Sequence, residues 1–420
     1  MQPDFFTGTL IQLVLFISSL APIWVPIVLM LVAWKMWVKY LRVSYLASLE
    51  WTLIEIRIPR DVFKSPVAME IALVNAFHQG GGMGNWYQKY WQGRVHMWFS
   101  LEIVSLEGKV YFFIRTPKLF RTLVESQIYA QYPQAEINEV NDYTGRIPHS
   151  KIGEWSMFGS EFRLTKPDPY PIKTYVDYGL DKSSSSLDPE QQIDPITQML
   201  EFMGSIGKGE QIWFQILIKV HTSRYHKPGT WFETRDWKDL AKEEIQKVIK
   251  GGLMVTDDAV TRTTMNLTKG QQDVIAAIER NVNKQGFDCG MRVIYLAEKD
   301  RFNPINITGV LSMVKQYNSP SLNGFAPTNA TGFDYPWQDP KGRRTQALKL
   351  EMYNAYRERS FFYPPHHSKK VANKSVHRKP FVLSSEELAT VFHFPGRVAE
   401  TPSFKRIDSK KVEPPVNLPI

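Results

Sequence analysis

Residues 5–34 carry no charge. A bilayer core about 30 Å thick needs about 20 apolar helical residues, and this run is longer. Pro22 and Pro26 fall in its middle, where proline breaks or kinks a helix. The pattern predicts a short membrane-embedded or interfacial piece over residues 5–20. A spanning helix follows from about residue 22 to 46, because proline is tolerated in a first helical turn. A hairpin crossing twice is the second reading, but residues 5–20 would reach only about 24 Å as a helix. A cleaved signal peptide fits less well, since it needs a basic start and a shorter apolar core.

Beyond the apolar run the periodicity changes. Residues 51–59 (WTLIEIRIP) alternate as a strand does. Residues 65–78 predict a helix with Ser65 as cap and Pro66 in its first turn. A loop rich in glycine and aromatics follows, then strands over 96–105 and 109–115 joined as a hairpin through Leu106, Glu107 and Gly108. A helix over 117–132 and a strand over 135–140 complete a β-α-β-β-α-β order, the ferredoxin-like split unit.

A looser version recurs downstream. It has extended stretches at 161–165 and 173–177, a helix at 195–206 and a strong strand at 211–221. Helices over 236–250 and 268–284, a strand over 292–297 and a helix over 303–316 follow. The likeness of the two halves is compatible with a duplication. The expected fold class is therefore α+β: an N-terminal transmembrane helix, then two ferredoxin-like units, the second with helical insertions. The expected division is an anchor over 1–46, a first unit over 47–150 and a second over 151–318. A Pro/Gly-rich and basic region with short helices covers 319–400, including a helix over 345–360, a disordered stretch over 364–380 and a short helix opening at Ser384. A proline-rich exit linker covers 401–420.

Composition adds two constraints. The single cysteine, Cys289, excludes an internal disulfide and a thiolate zinc cage. The formal net charge of +9 is concentrated: residues 341–380 hold eleven Lys and Arg against two acids, Glu351 and Glu358, so the remainder is neutral. A local anionic partner is implied. The candidate binding residues are Arg343, Arg344, Lys369, Lys370, Lys374, Arg378 and Lys379. Three readings stay open for this window: a solvated tail, contact with anionic headgroups, or sequence-independent nucleic-acid binding. In the last, Tyr353, Tyr356 and Phe361–Tyr363 would stack on bases.

Charge also orients the anchor. Asp4 alone precedes the apolar run, whereas Lys35, Lys39 and Arg42 follow it among Trp34, Trp37 and Tyr40. These six residues form the expected membrane interface, and the positive-inside rule places the body in the cytoplasm.

Chemistry-bearing motifs are scarce. Gly80, Gly81, Gly82 and Gly84 lack the Lys-Ser/Thr ending of a phosphate loop and follow a helix, and residues 204–209 fail the spacing too. His366, His367 and His377 lie in a lysine-rich stretch without acidic or thiolate partners, so no metal site is expected. His393 reads as a packed turn residue, and Asp257-Asp258 as loop. No cofactor and no catalytic residue is expected.

Several strings are familiar: residues 100–117 (SLEIVSLEGKVYFFIRTP), 124–140 (VESQIYAQYPQAEINEV), 173–181 (KTYVDYGLD), 209–218 (GEQIWFQILI), 384–396 (SSEELATVFHFPG) and 413–419 (EPPVNLP). Together they resemble a membrane-anchored domain of unknown function in candidate-phyla bacteria, which stands before ATPases similar to type IV secretion coupling proteins and conjugative helicases. The resemblance runs from about Trp34 to the last residue. It implies a non-enzymatic scaffold in the bacterial inner membrane that positions a partner ATPase, forms a homo-oligomer with it, and meets the lipid bilayer and DNA. A membrane-tethered nucleic-acid-binding module without a motor is the alternative. The chain stops where the family's linker would lead into the motor, so the ATPase is expected either as a separate polypeptide or as a C-terminal continuation.

Overall fold

The structure is a computed structural model. It describes residues 15–16, 18–59, 64–78, 84–147, 155–181, 193–222, 225–226, 234–251, 267–333, 335–363, 368–371 and 374–395. Most of the expected 5–20 piece, Asp257-Asp258, His366, His367 and the 401–420 linker lie outside these residues.

Helix α1 spans Ala21–Ala47, followed by strand β1 (Trp51–Arg57), helix α2 (Pro66–Phe77) and the short helix α3 (Trp86–Tyr90). Strands β2 (Phe99–Leu106) and β3 (Lys109–Pro117), helix α4 (Arg121–Gln131) and strand β4 (Glu136–Glu139) come next. Strand β5 (Trp155–Leu164), helix α5 (Pro195–Gly204), strand β6 (Glu210–Val220) and the small pair β7 (Tyr225–His226) and β8 (Thr234–Arg235) follow. Then come helices α6 (Trp237–Gly251) and α7 (Lys269–Val282), strand β9 (Gly286–Glu298), helix α8 (Ile305–Ser312) and strand β10 (Phe325–Thr328). Helix α9 (Arg343–Arg357), strands β11 (Ser368–Val371), β12 (Lys374–His377) and β13 (Phe381–Ser384), and helix α10 (Ser385–Val391) end the described chain.

The chain divides into two compact units, residues 1–49 with 81–96, and residues 50–80 with 97–420. In the first, α1 has Pro22 in its opening turn and runs through Pro26. Its 18-residue apolar window has mean hydropathy 1.7, so it is long and apolar enough to cross a membrane. Val38 is its one buried residue among those described, and Ile23, Ile27, Leu29 and Met30 all stand exposed.

The second unit is built on a nine-stranded antiparallel sheet in the order β10-β5-β9-β6-β2-β3-β1-β4, with β13 added beside the start of β9. Role by role this order reads the same from either end. From one edge it is fourth, first, third and second strand of the second half. From the middle it is second, third, first and fourth strand of the first half. The halves meet where β2 pairs with β6, from Phe99 opposite Ile218 to Leu106 opposite Gln211. The β2–β3 hairpin closes through Glu107 and Gly108, both at positive φ (54° and 82°), as a two-residue turn that follows the strand twist requires. A Cβ on Gly108 would lie 2.7 Å from the Ile206 carbonyl oxygen, so a side chain is excluded there twice over.

Alternation assigns the two faces. Phe99 packs on Phe77 of α2, and the Ser105 hydroxyl donates to the Met203 carbonyl of α5, so odd positions of β2 meet the helices. Even positions face the other way, where Val104, Trp213 of β6 and Ile294 of β9 join Met352, Tyr353 and Tyr356 of α9 in one cluster. Each such large apolar side chain contributes about 1.5–3 kcal/mol on burial. The sheet is thus covered on both faces.

Several expectations are corrected here. Residues 173–177 are not extended: the Asp177 carboxylate accepts from the Thr174 N–H at 2.9 Å and from its hydroxyl, which fixes a turn. The stretch expected as disordered contains the hairpin β11–β12, in which Lys369 opposes Val376. β10 and β13, both beyond residue 318, belong to the sheet.

Candidate functional site

One row of residues crosses the sheet, one per strand: Asn138, Glu55, Phe113, Glu102, Gln215, Arg292, Glu161 and Thr328. In a half-solvated sheet such residues would face water. Here Glu102, Gln215, Arg292 and Glu161 are at most 1% exposed, because α9 and the segment after it lie over them.

Burying these charges requires partners, and the basic window supplies two. Arg359, just past α9 and at φ 50°, donates through Nε to Glu102 Oε1 (2.9 Å) and through Nη2 to Glu102 Oε2 (3.1 Å), and it also pairs with Asp142. Glu102 further accepts from Ser100 Oγ (2.6 Å), Tyr143 OH (2.8 Å) and Gln215 Nε2 (2.9 Å), and Tyr143 shares a hydrogen bond with Tyr356 (2.7 Å). Burial alone would raise the Glu102 pKa, but Arg359 and these donors outweigh it and hold the carboxyl below its ordinary range. Arg359 is pushed above its ordinary value: burial works against it, and Glu102, Tyr143 and Asp142 prevail. At the other half, Arg378 donates from Nε to Glu161 (2.6 Å) and from Nη1 to Glu351 (3.0 Å). Arg292 lies 3.7 Å from the same Glu161, and burial lowers it to about 10.

The window therefore does not act as one surface. Arg378, expected to bind an anion, is 5% exposed and held by two carboxylates. Tyr353, Tyr356 and Phe361 are buried and cannot stack on bases. Arg344 is half-buried over the Phe333 ring (4.8 Å) and donates to the Gln338 carbonyl (2.6 Å). Arg343, Lys370 and Lys379 are exposed, and the side chains of Lys369 and Lys374 fall outside those described. Lys379 and Arg378 share an open depression of about 290 Å³ with Arg163, Lys166, His377 and Asp168. Burial raises Asp168 to about 6, against Lys379 and the Val382 N–H. Near the exposed start of α9, Tyr335 and Trp337 stack at 4.6 Å and are 52% and 72% exposed, an aromatic pair that the sequence reading passed over.

On the helix face, two of the familiar strings meet. Thr174 donates to Glu386 (2.7 Å), the Tyr175 N–H to Thr390 Oγ1 (3.0 Å), and the Ile172 N–H to Glu387 (2.9 Å). Tyr175 OH, Lys284 and Ser385 converge on buried Glu70 at 2.6–2.8 Å. Burial raises Glu387 to about 8, opposed by the Ser384 and Ile172 N–H donors. These strings therefore bind one another and stabilise the body. His393 is buried between Asp194 (2.9 Å) and the Ala389 carbonyl (2.9 Å), a packed residue. Among the described residues no group of three or more His, Cys, Asp or Glu side chains could hold a metal.

The six expected interface residues all lie on α1. Trp34, Lys35, Trp37, Lys39 and Tyr40 are exposed, and Arg42 is half-buried. In the same unit Trp34 packs on Tyr90 and Trp91 (6.0 and 6.4 Å), and Trp37 on Trp91 (6.4 Å). The glycine- and aromatic-rich loop is thus partly helical and folded onto the apolar helix.

The match to a family model is long. Residues 50–406 fit the model of a domain of unknown function, DUF8128. The chain belongs to the DUF8128 family. The matched region begins three residues after α1 ends and takes in both halves of the sheet and the covering segment. Comparison with curated proteins found no match.

Proposed function

We propose that this DUF8128 chain is a non-enzymatic membrane adaptor whose α+β body positions a partner ATPase in a type IV secretion or conjugative DNA-transfer-like machine. The observation that carries it is the joining of an exposed apolar helix, within four residues, to a body whose sheet is covered on both faces and whose buried Glu102 and Glu161 are paired internally with Arg359 and Arg378. Such a body suits rigid presentation of surfaces better than conversion of a substrate. The strand orders β4-β1-β3-β2 and β10-β5-β9-β6 support reading the halves as two ferredoxin-like units. The partner class rests on the family resemblance of the sequence strings. Lys35, Lys39 and Arg42 after the apolar run favour the inner membrane with the body in the cytoplasm, and the adaptor would form a homo-oligomer with the ATPase.

Crosslinking in nuclease-treated membranes tests this reading. Recovery of an oligomeric ATPase with the chain is expected, and a cytoplasmic reporter fused after Ile420 should be active. ATP hydrolysis by the purified chain at a motor-like rate, or a reporter active only outside the cytoplasm, would overturn it. A second reading, a membrane-tethered nucleic-acid-binding module, is favoured by the exposed Tyr335–Trp337 stack beside exposed Lys341 and Arg343. Nuclease-sensitive retention of single-stranded DNA, lost in Trp337→Ala, would select it.

A further inference from the structure

Residues 84–93 leave the body between α2 and β2 and fold against α1. Asn85 caps α3 in a reciprocal capping box with Gln88, so the turn is locally specified. At its far end Gly93 has φ +70°, and a Cβ there would stand 2.4 Å from the Leu41 carbonyl carbon and oxygen. Backbone meets backbone at that point, which only glycine permits.

The outward side of this turn is aromatic. Trp86, Tyr87 and Trp91 are 62%, 57% and 46% exposed, and Trp86 stacks beside Tyr90 at 5.9 Å. Large exposed rings are uncommon without a partner. Trp91 packs on Trp34 and Trp37, and Trp37 in turn on Tyr40 (6.2 Å), at the level where the charge-free run ends and Lys35 and Lys39 begin. Amphipathic rings prefer such a membrane–water boundary.

Between turn and helix lies an apolar groove of about 560 Å³, lined by Ile27, Met30, Leu31, Trp34, Trp37 and Trp91. From Ile27 to Trp37 a helix rises about 15 Å. That is half of a hydrocarbon core about 30 Å thick, the depth of one leaflet. Lys35, Lys39 and Lys89 stand exposed or half-exposed near the shallow end, as phosphate headgroups would require.

We propose that residues 84–93 form a second, interfacial membrane anchor, and that the groove between this turn and α1 holds one acyl chain of an anionic phospholipid from the leaflet nearest the body. The proposal rests on α1 crossing the bilayer. The occupant follows from continuity with the apolar helix, from the match of groove length to one leaflet, and from the cations at its mouth.

The test uses the full chain in liposomes of phosphatidylglycerol and phosphatidylethanolamine. On a Cys289→Ser background, single cysteines replace Met30, Tyr87 or Ile305, and each carries an environment-sensitive fluorophore. Phospholipids spin-labelled at a shallow or a deep acyl position act as quenchers. Position 30 should be quenched best by the deep label. Position 87 should be quenched about twofold or more, best by the shallow label, and position 305, which is 77% exposed beyond the end of β9 opposite to the start of β1, should be unaffected. Quenching at 30 but not at 87 would overturn the second anchor and leave the spanning helix standing. Loss of quenching at 30 would overturn both. The groove is tested by Ala33→Trp, which fills it: the mutant should retain several-fold less phospholipid in detergent by native mass spectrometry, with α-helical content unchanged. Equal retention would remove the acyl chain from the proposal.

Discussion

Arg343 and Arg359 bracket the same helix and have opposite surroundings. Arg343 opens α9 in solvent, while Arg359, two residues past its end, is wholly buried against Glu102 and Asp142. Both come from the stretch that holds the chain's entire net charge. The contrast shows that a run of basic residues is two populations, one selected for a surface and one for the inside. A buried guanidinium loses several kcal/mol of hydration and persists only where carboxylates replace the water.

The largest expected effect follows from removing the buried member. Arg359→Gln should cost about 3–5 kcal/mol, because it strands the Glu102 carboxylate in the sheet. Denaturant unfolding of the full chain in detergent measures this. Adding Glu102→Gln should restore a substantial part of the loss, and simple additivity of the two would show that the pair is not coupled. Arg378→Gln should cost less, about 2–3 kcal/mol, since Arg292 remains 3.7 Å from Glu161 and can take over part of its role.

The same pair sets an acid response. The folded-state pKa of Glu102 is depressed, so its stabilisation is present above the ordinary carboxylate range and disappears as pH falls through the folded value. Without Arg359, burial dominates and the folded pKa rises. Stability should then fall as pH rises from 5 to 7. Glu387 and Asp168, both raised by burial, tilt both chains alike, so the gap in unfolding midpoint between the native chain and Arg359→Gln should widen from pH 4 to pH 7; parallel curves would sink this account. The smallest effect belongs to the exposed population. Replacing Lys341, Arg343, Lys370 and Lys379 by Gln should change stability by no more than about 0.5 kcal/mol per site. The same variant should elute from an anion-bearing resin at clearly lower salt.

Local order was legible where one face of an element met one kind of environment. The strand at 51–57, the helix capped by Ser65 and the Glu107-Gly108 hairpin all follow from spacing and turn chemistry. The helix at 21–47 follows from the charge-free run that fills its first half, up to Trp34. Buried polarity was not legible. Ser100, Glu102 and Val104 alternate as a wet face would, yet the partner that dries Glu102 lies 257 residues away. Tyr353 and Tyr356 stand three apart beside Met352, a core stripe that resembles base-stacking residues when the neighbouring arginines are counted as surface. The aromatic turn at 86–91 reads as a mobile loop until its rings are seen against Trp34 and Trp37, since helix contacts across fifty residues leave no local period.

The distance between Glu102 and Arg359 also imposes an order of events during synthesis. At about 5–20 residues per second, the carboxylate emerges from the ribosome tens of seconds before its guanidinium. Through that interval the far face of the growing sheet carries ionised Glu102 and then Glu161 in water, with Trp213 and Ile294 beside them. A nascent chain that buried this face against another apolar surface would have to strip those charges without compensation. The glutamates therefore guard the half-made sheet against the wrong lid, and only the arrival of residues 343–378, with both arginines, makes closing it favourable.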